Sequence, residues 1–223
     1  MHLFTYVAAS CLPGLLWVWF FYRQDRGEEE PKSLVLWTFV AGMAAVVPAA
    51  AVELPLRGLL GESAPAAARL AAAIVGVGLV EEGLKLLAAY TVAFRRRAFN
   101  EPADGIFYSV TASLGFAALE NLMYALTFGL AVAPVRAVVT SLAHASFGGV
   151  AGLYLGLAKV RADVGAREVW QGLGAAALLH GLYDYFLLER LAHPLLAVAV
   201  VAVTYRFVAR RLRALGPPRR AGD

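Results

Sequence analysis

The chain of 223 residues carries 20 Lys and Arg against 16 Asp and Glu, a formal charge of +4 with a pI near 9.4, yet only 16% of it is charged and 60% is hydrophobic. A mean hydropathy of +0.65, set against the roughly one-quarter charged residues of soluble domains, excludes an ordinary water-soluble globule and leaves no room for a separate soluble domain. The single cysteine, Cys11, excludes an internal disulfide framework and reads as an apolar packing residue.

Apolar stretches long enough to cross a hydrocarbon core of about 30 Å recur along nearly the whole length. The first, 3–22, has neither a basic flank ahead of it nor a small-residue cleavage site behind it, so it reads as a retained helix and not a signal peptide. The others are 34–52, 70–93, 105–128, 135–158, 171–189 and 194–209. Backbone amides in lipid must be satisfied within their own segment, and none of these runs alternates as a barrel strand does. The expectation is an all-α polytopic bundle of about seven spanning helices. It forms one transmembrane domain, 1–209, followed by a basic tail, 210–223, that reads as disordered beside anionic headgroups.

Orientation follows from Lys and Arg. Fifteen fall on one side: Arg23, Arg26 and Lys32; Arg95, Arg96 and Arg97; Lys159, Arg161 and Arg167; and six from Arg206 onward. Four, Arg57, Arg69, Arg136 and Arg190, fall on the other, which puts the N-terminus outside and the C-terminus in the cytoplasm. This topology also accounts for the basic balance without nucleic acid as a partner.

An ionisable residue at mid-bilayer costs about 2.5 to 3.5 kcal/mol on insertion scales and is a functional candidate by default. The third span holds Glu81, Glu82 and Lys85; the fourth, Glu120 beside Asn121; the fifth, His144; the sixth, His180 and Asp184. Counting outward from each span's midpoint places all these side chains in one slab roughly 6 Å thick. His180 and Asp184 share a helix face, and His144 heads a stripe of Gly148, Gly152 and Gly156 that admits a neighbouring helix closely. Simpler readings stand beside these. Glu81 and Lys85 have the favourable spacing of an ion pair, so one glutamate serves only to neutralise the lysine. Asn121 reads as an interhelical hydrogen-bonding residue, Glu101 and Asp104 as helix caps, and Glu53, near Pro48 and Pro55, as interfacial.

Peptide hydrolysis needs an activated water, an oxyanion partner and a proton donor for the departing amine. A carboxylate withdrawn from water becomes a competent base near neutral pH, and a histidine nearby donates to oxyanion or leaving group. Ser141 and Ser146 flank His144 without a triad setting, which leaves water as the nucleophile. Two versions remain open. In one, Glu81 or Glu82 activates water directly, with His180 and Asp184 arranging oxyanion and protons. In the other, His144, His180 and Glu120 or Asp184 hold Zn²⁺ while a glutamate of the third span is the base, although no H-E-x-x-H spacing is present.

In these stretches the chain resembles the PrsW family of bacterial membrane proteases, relatives of the CAAX-processing and bacteriocin-processing membrane proteases. The stretches are EExxK from Glu81 to Lys85, Glu101 to Tyr108, FxxxEN from Phe116 to Asn121, His144 with its glycines, and HxxxD from His180 to Asp184. They fall in order over 76–187. CAAX-type relatives have His in place of Glu120 and Asn in place of Asp184. The resemblance implies an active site of Glu81, Glu82, Glu120, His180 and Asp184, and a membrane-anchored, single-span substrate such as an anti-sigma factor in a stress-signalling cascade. A proton-coupled transporter or channel, whose relay also needs buried Glu, His and Asp, is the competing class; a membrane scaffold with buried ion pairs is a third.

Overall fold

Long runs of Ala, Leu and Val with no alternation leave the helix as the conformation that satisfies the backbone, and the computed structural model is helical throughout, with no strand among the described residues, 2–25, 27–188 and 195–215. Helix α1 is His2–Gln24 and α2 is Lys32–Glu53, prolonged through Leu54–Leu56 and Arg57–Leu60. Helix α3 is assembled from Ala66–Ala71, the π-helical Ala72–Gly78, Leu79–Ala89 and the π-helical Tyr90–Phe94. Helix α4 is Pro102–Phe128. Helix α5 joins Ala133–Val135, the π-helical Arg136–Thr140 and Ser141–Val160. Helix α6 is Ala166–Leu188 and α7 is Leu195–Leu215.

Four segments among the described residues are long and apolar enough to cross a membrane: Leu3–Gln24, Lys32–Leu60, Pro102–Phe128 and Leu130–Val160. Glu81, Glu82 and Lys85 interrupt α3, and acidic or basic residues fall within α6 and α7. Helix α7 continues past the expected end of its span, through Arg210, Arg211 and Arg213, because Val208, Ala209 and Leu212 are buried on its inner face. Arg26, Arg190 and tail residues 216–223 lie outside the described residues.

Helix α4 is the central post, buried along most of its length between α5, α2 and α1. The glycine stripe of α5 is what it leans on. A Cβ at Gly105 would fall on the backbone of Gly152 and Gly156, and one at Gly152 on the Gly105 carbonyl, so the two backbones touch where side chains would hold them apart. A second glycine seam joins α3 to α6: Gly78 lies against the Ala177 carbonyl and Gly181 against Ile74. That seam brings His180 onto Glu82. At the opposite end from these acids, Asp104 Oδ2 accepts from the backbone N–H of Asn100 (2.7 Å) and Glu101 (2.8 Å), the capping role expected of it.

Candidate active site

Helices α3, α4, α5 and α6 deliver their polar side chains to one point. The π-helical Ala72–Gly78 ends just before Glu81; such stretches add a residue to a turn and re-aim the side chains beyond it, and they recur at functional sites. Glu81, Glu82 and Lys85 are all buried, Glu82 and Lys85 almost completely.

Lys85 organises the cluster. Its Nζ donates to Glu81 Oε2 at 2.8 Å and Glu82 Oε1 at 2.9 Å, lies 2.8 Å from His144 Nδ1, and rests 4.3 Å from the centre of the Phe116 ring. The sequence suggested that one glutamate neutralises the lysine; both do. An ammonium has protons and no lone pair, so His144 Nδ1 is the acceptor, and Nε2–H donates to Glu120 Oε2 at 3.0 Å. Glu120 Oε2 is also bound by Arg136 Nη2 at 2.8 Å, while Arg136 Nε donates to Asn121 Oδ1 and Asn121 Nδ2 to Ser141 Oγ. Asn121 thus has the interhelical role expected, and Ser141 belongs to that network.

His180 Nδ1 lies 2.8 Å from Glu82 Oε1. Its Nε2 is 3.8 Å from Glu81 Oε2 and 3.4 Å from Asp184 Oδ2. The ring stacks on Phe147 and meets His144 edge to face, with centroids 5.3 Å apart. A carboxylate accepting from one ring nitrogen fixes the tautomer and aims the other. Glu82 therefore orients His180.

A cavity of about 430 Å³ opens over this cluster, lined by the polar Glu81, Glu120, His144, His180 and Asp184 and by the apolar Val46, Ala49, Ala73 and Val77. Of the six acids and histidines picked out from the sequence, Glu82 alone does not reach the cavity wall; it stands behind His180 and Lys85. Sequence reasoning missed three charged lining residues, Glu53, Arg57 and Arg136. Arg57 and Arg136 were counted only as flanking charges and Glu53 as an interfacial acid, with no place at the site, and all three line the cavity. An acid at the end of an apolar span was the available signal for Glu53.

Glu81, His144 and His180 each present a donor atom within 4.8 Å of the others. Tetrahedral ligands at about 2.1 Å from zinc stand about 3.4 Å apart, and Glu81 Oε2 lies 3.9 Å from His144 Nδ1 and 3.8 Å from His180 Nε2. Two imidazoles and a carboxylate suit a catalytic zinc, and the residues would fit the metal with small inward shifts once Lys85 Nζ, which binds Glu81 Oε2 and His144 Nδ1, turns aside. The cluster differs from the set read from sequence, Glu120, His144, His180 and Asp184. Glu120 is held by Arg136 on the far ring nitrogen of His144, and Glu81 supplies the carboxylate instead.

Acids and imidazoles on the wall of a cavity, backed by an ammonium, in a bundle with membrane-length helices, suit a hydrolytic centre within a membrane. The model of the PrsW family of intramembrane metalloproteases matches residues 30–209, and the chain belongs to that family. It is a membrane protein and an intramembrane endopeptidase. The protease PrsW of Geobacillus kaustophilus is 34% identical over 188 residues, 84% of this chain and 82% of its own, and that of Bacillus subtilis 33% identical over 187 residues, 83% and 84%. The protease PrsW of Clostridioides difficile is 35% identical over 120 residues, about half of each chain. No solved structure matches.

Proposed function

We propose that the protein hydrolyses a peptide bond within a single-span, membrane-anchored substrate of the anti-sigma-factor kind, with water as nucleophile and Glu81 as the group that takes its proton. The bundle crosses the lipid bilayer about seven times, α3, α6 and α7 among the spans, with the N-terminus outside and the C-terminus cytoplasmic. In that frame the cavity mouth, marked by Glu53, Arg57, Tyr124 and Arg136, faces the outer half of the bilayer.

The observation that carries this reading is the meeting of Glu81 and His180 on one cavity wall, 3.8 Å apart. Glu81 takes a proton from water and returns it to the departing amine. His180, held by Glu82 through Nδ1, keeps Nε2 aimed into the cavity beside Glu81, where the substrate carbonyl would lie. Asp184 lies 3.4 Å from that nitrogen on the same cavity wall. Lys85 holds the α3 carboxylates apart from one another's charge, and Glu120 with Arg136 fixes His144. Glu81, His144 and His180 are the residues that would hold Zn²⁺, which when bound supplies Lewis acidity and a more acidic water. Glu81 has two carboxylate oxygens, so it could hold the ion and still take a proton.

The test is the full chain reconstituted with a single-span reporter, its fragments mapped by mass spectrometry. A cut inside the apolar segment, lost with a chelator and restored by zinc, is the expected result. An uncut reporter panel, or cuts confined to soluble flanks, overturns the reading.

A further inference from the structure

We propose that Glu53 sets substrate specificity by pairing with a cationic side chain close to the scissile bond; the inference rests on the protease reading above. Glu53 closes α2 and lines the same cavity as Glu81, Glu120, His180 and Asp184. Its Oε1 is shielded from solvent and has no hydrogen-bond partner among the described residues.

The other acids of the cavity are engaged. Glu81 holds Lys85, Glu120 holds Arg136 and His144, and Asp184 lies against His180. The cations are committed in the same way, Lys85 to both α3 glutamates and Arg136 to Glu120. Arg57, one turn beyond Glu53, lines the mouth but is exposed, and no ion pair joins the two among the described residues. The other α2 residues lining the cavity beside it, Val46, Ala49, Ala50 and Leu54, carry no side-chain donor, and the charges that act on Glu53 across the cavity are those of Glu81, Glu120, Lys85 and His180, which are engaged within the cluster.

A carboxyl oxygen shielded from water without a partner is costly, and an incoming cation reduces that cost. A substrate lacking the cation leaves the carboxyl unpaired, and this asymmetry is what discriminates strongly between substrates. The substrate class is therefore an apolar membrane segment with Lys or Arg beside the cleaved bond, on the side that meets α2.

The experiment uses the full chain in liposomes with single-span reporters in which Lys, Gln or Glu is scanned through the residues flanking the scissile bond. Wild type is expected to favour Lys over Glu at one position by about tenfold or more in kcat/KM. Glu53→Gln flattens that preference and Glu53→Arg reverses it, and cleavage of its favoured reporter by each variant shows the fold intact. An unchanged preference in Glu53→Arg overturns the inference. So does a loss of cleavage in both variants that is uniform across reporters, which marks a role in the chemistry or the fold. Wild type that cuts every reporter equally overturns this inference alone; wild type that cuts none overturns the protease reading with it.

Discussion

Replacing Lys85 by Met separates the two jobs its position implies. The ammonium lies 2.8 Å from both Glu81 Oε2 and His144 Nδ1, two of the three donor atoms a zinc ion would use. An ion about 2.1 Å from the same atoms is then no more than about 4.9 Å from Nζ, where a divalent and a unit charge repel by about 7 kcal/mol at an effective dielectric of about 20. Lys85 relieves part of this by turning toward Glu82, so the expected gain in the variant is a floor: zinc binding at least about tenfold tighter, or about 1.4 kcal/mol. The same change strands two buried carboxylates and lowers the stability of the metal-free protein by about 3 to 5 kcal/mol. Saturating zinc recovers part of that loss by mass action. Competition with a chromophoric chelator gives the affinity, and unfolding in detergent gives the stability. Zinc binding that is unchanged or weaker in folded Lys85→Met refutes the reasoning, because Lys85 would then be no competitor for the metal's place.

Glu82→Gln keeps the size of the side chain but removes the charge that orients His180 and binds Lys85; kcat should fall about 10- to 100-fold with little change in KM, measured with the single-span reporter. Gly105→Val drives a branched side chain into the backbone of Gly152 and Gly156; a loss of at least about 3 kcal/mol in detergent unfolding is expected. Glu30, in the loop between α1 and α2, is buried against the Tyr108 hydroxyl, and burial, with the Asp104 charge adding to it, pushes its carboxyl from 4.5 up to about 8. The folded state then binds the proton more tightly than the unfolded chain does. Stability falls as pH rises from 4.5 to about 8 and is level outside that window. Glu30→Gln should flatten that part of the thermal-unfolding profile, and an unchanged slope would assign it to another group.

The helices and the level of the site were legible because lipid leaves the backbone one choice and makes each buried charge conspicuous. Glu81, Glu82, Glu120, His144, His180 and Asp184 stood out for that reason alone, and the glycine stripe after His144 marked the contact with α4. Pair identity was not legible. Residue spacing puts Glu81 and Lys85 on one face, but the engagement of both glutamates and His144 by a single ammonium depends on how far α5 approaches, which the Gly105, Gly152 and Gly156 contact sets. Arg136 and Glu120 are joined across the turn between α4 and α5, a contact with no periodic signature. That Glu81 and not Glu120 stands with the two imidazoles in the group that could hold a metal follows from that pair. The π-helical Arg136–Thr140 and Ala72–Gly78 were also invisible, since one extra residue per turn leaves hydrophobic content unchanged. The place of Glu53 on the cavity was not legible either: the prolines around it suggested an interfacial end of the span, and only the packing of α2 beside α3 and α4 turns it to the cavity.

In the proposed reaction Glu81 is the acid that meets water in the cavity, and every other role depends on it. Single-turnover cleavage of the reporter by Glu81→Gln, with detergent unfolding matched to wild type, measures this directly. A rate at least about a hundredfold below wild type is expected; cleavage within a few-fold of wild type by the folded variant contradicts the claim.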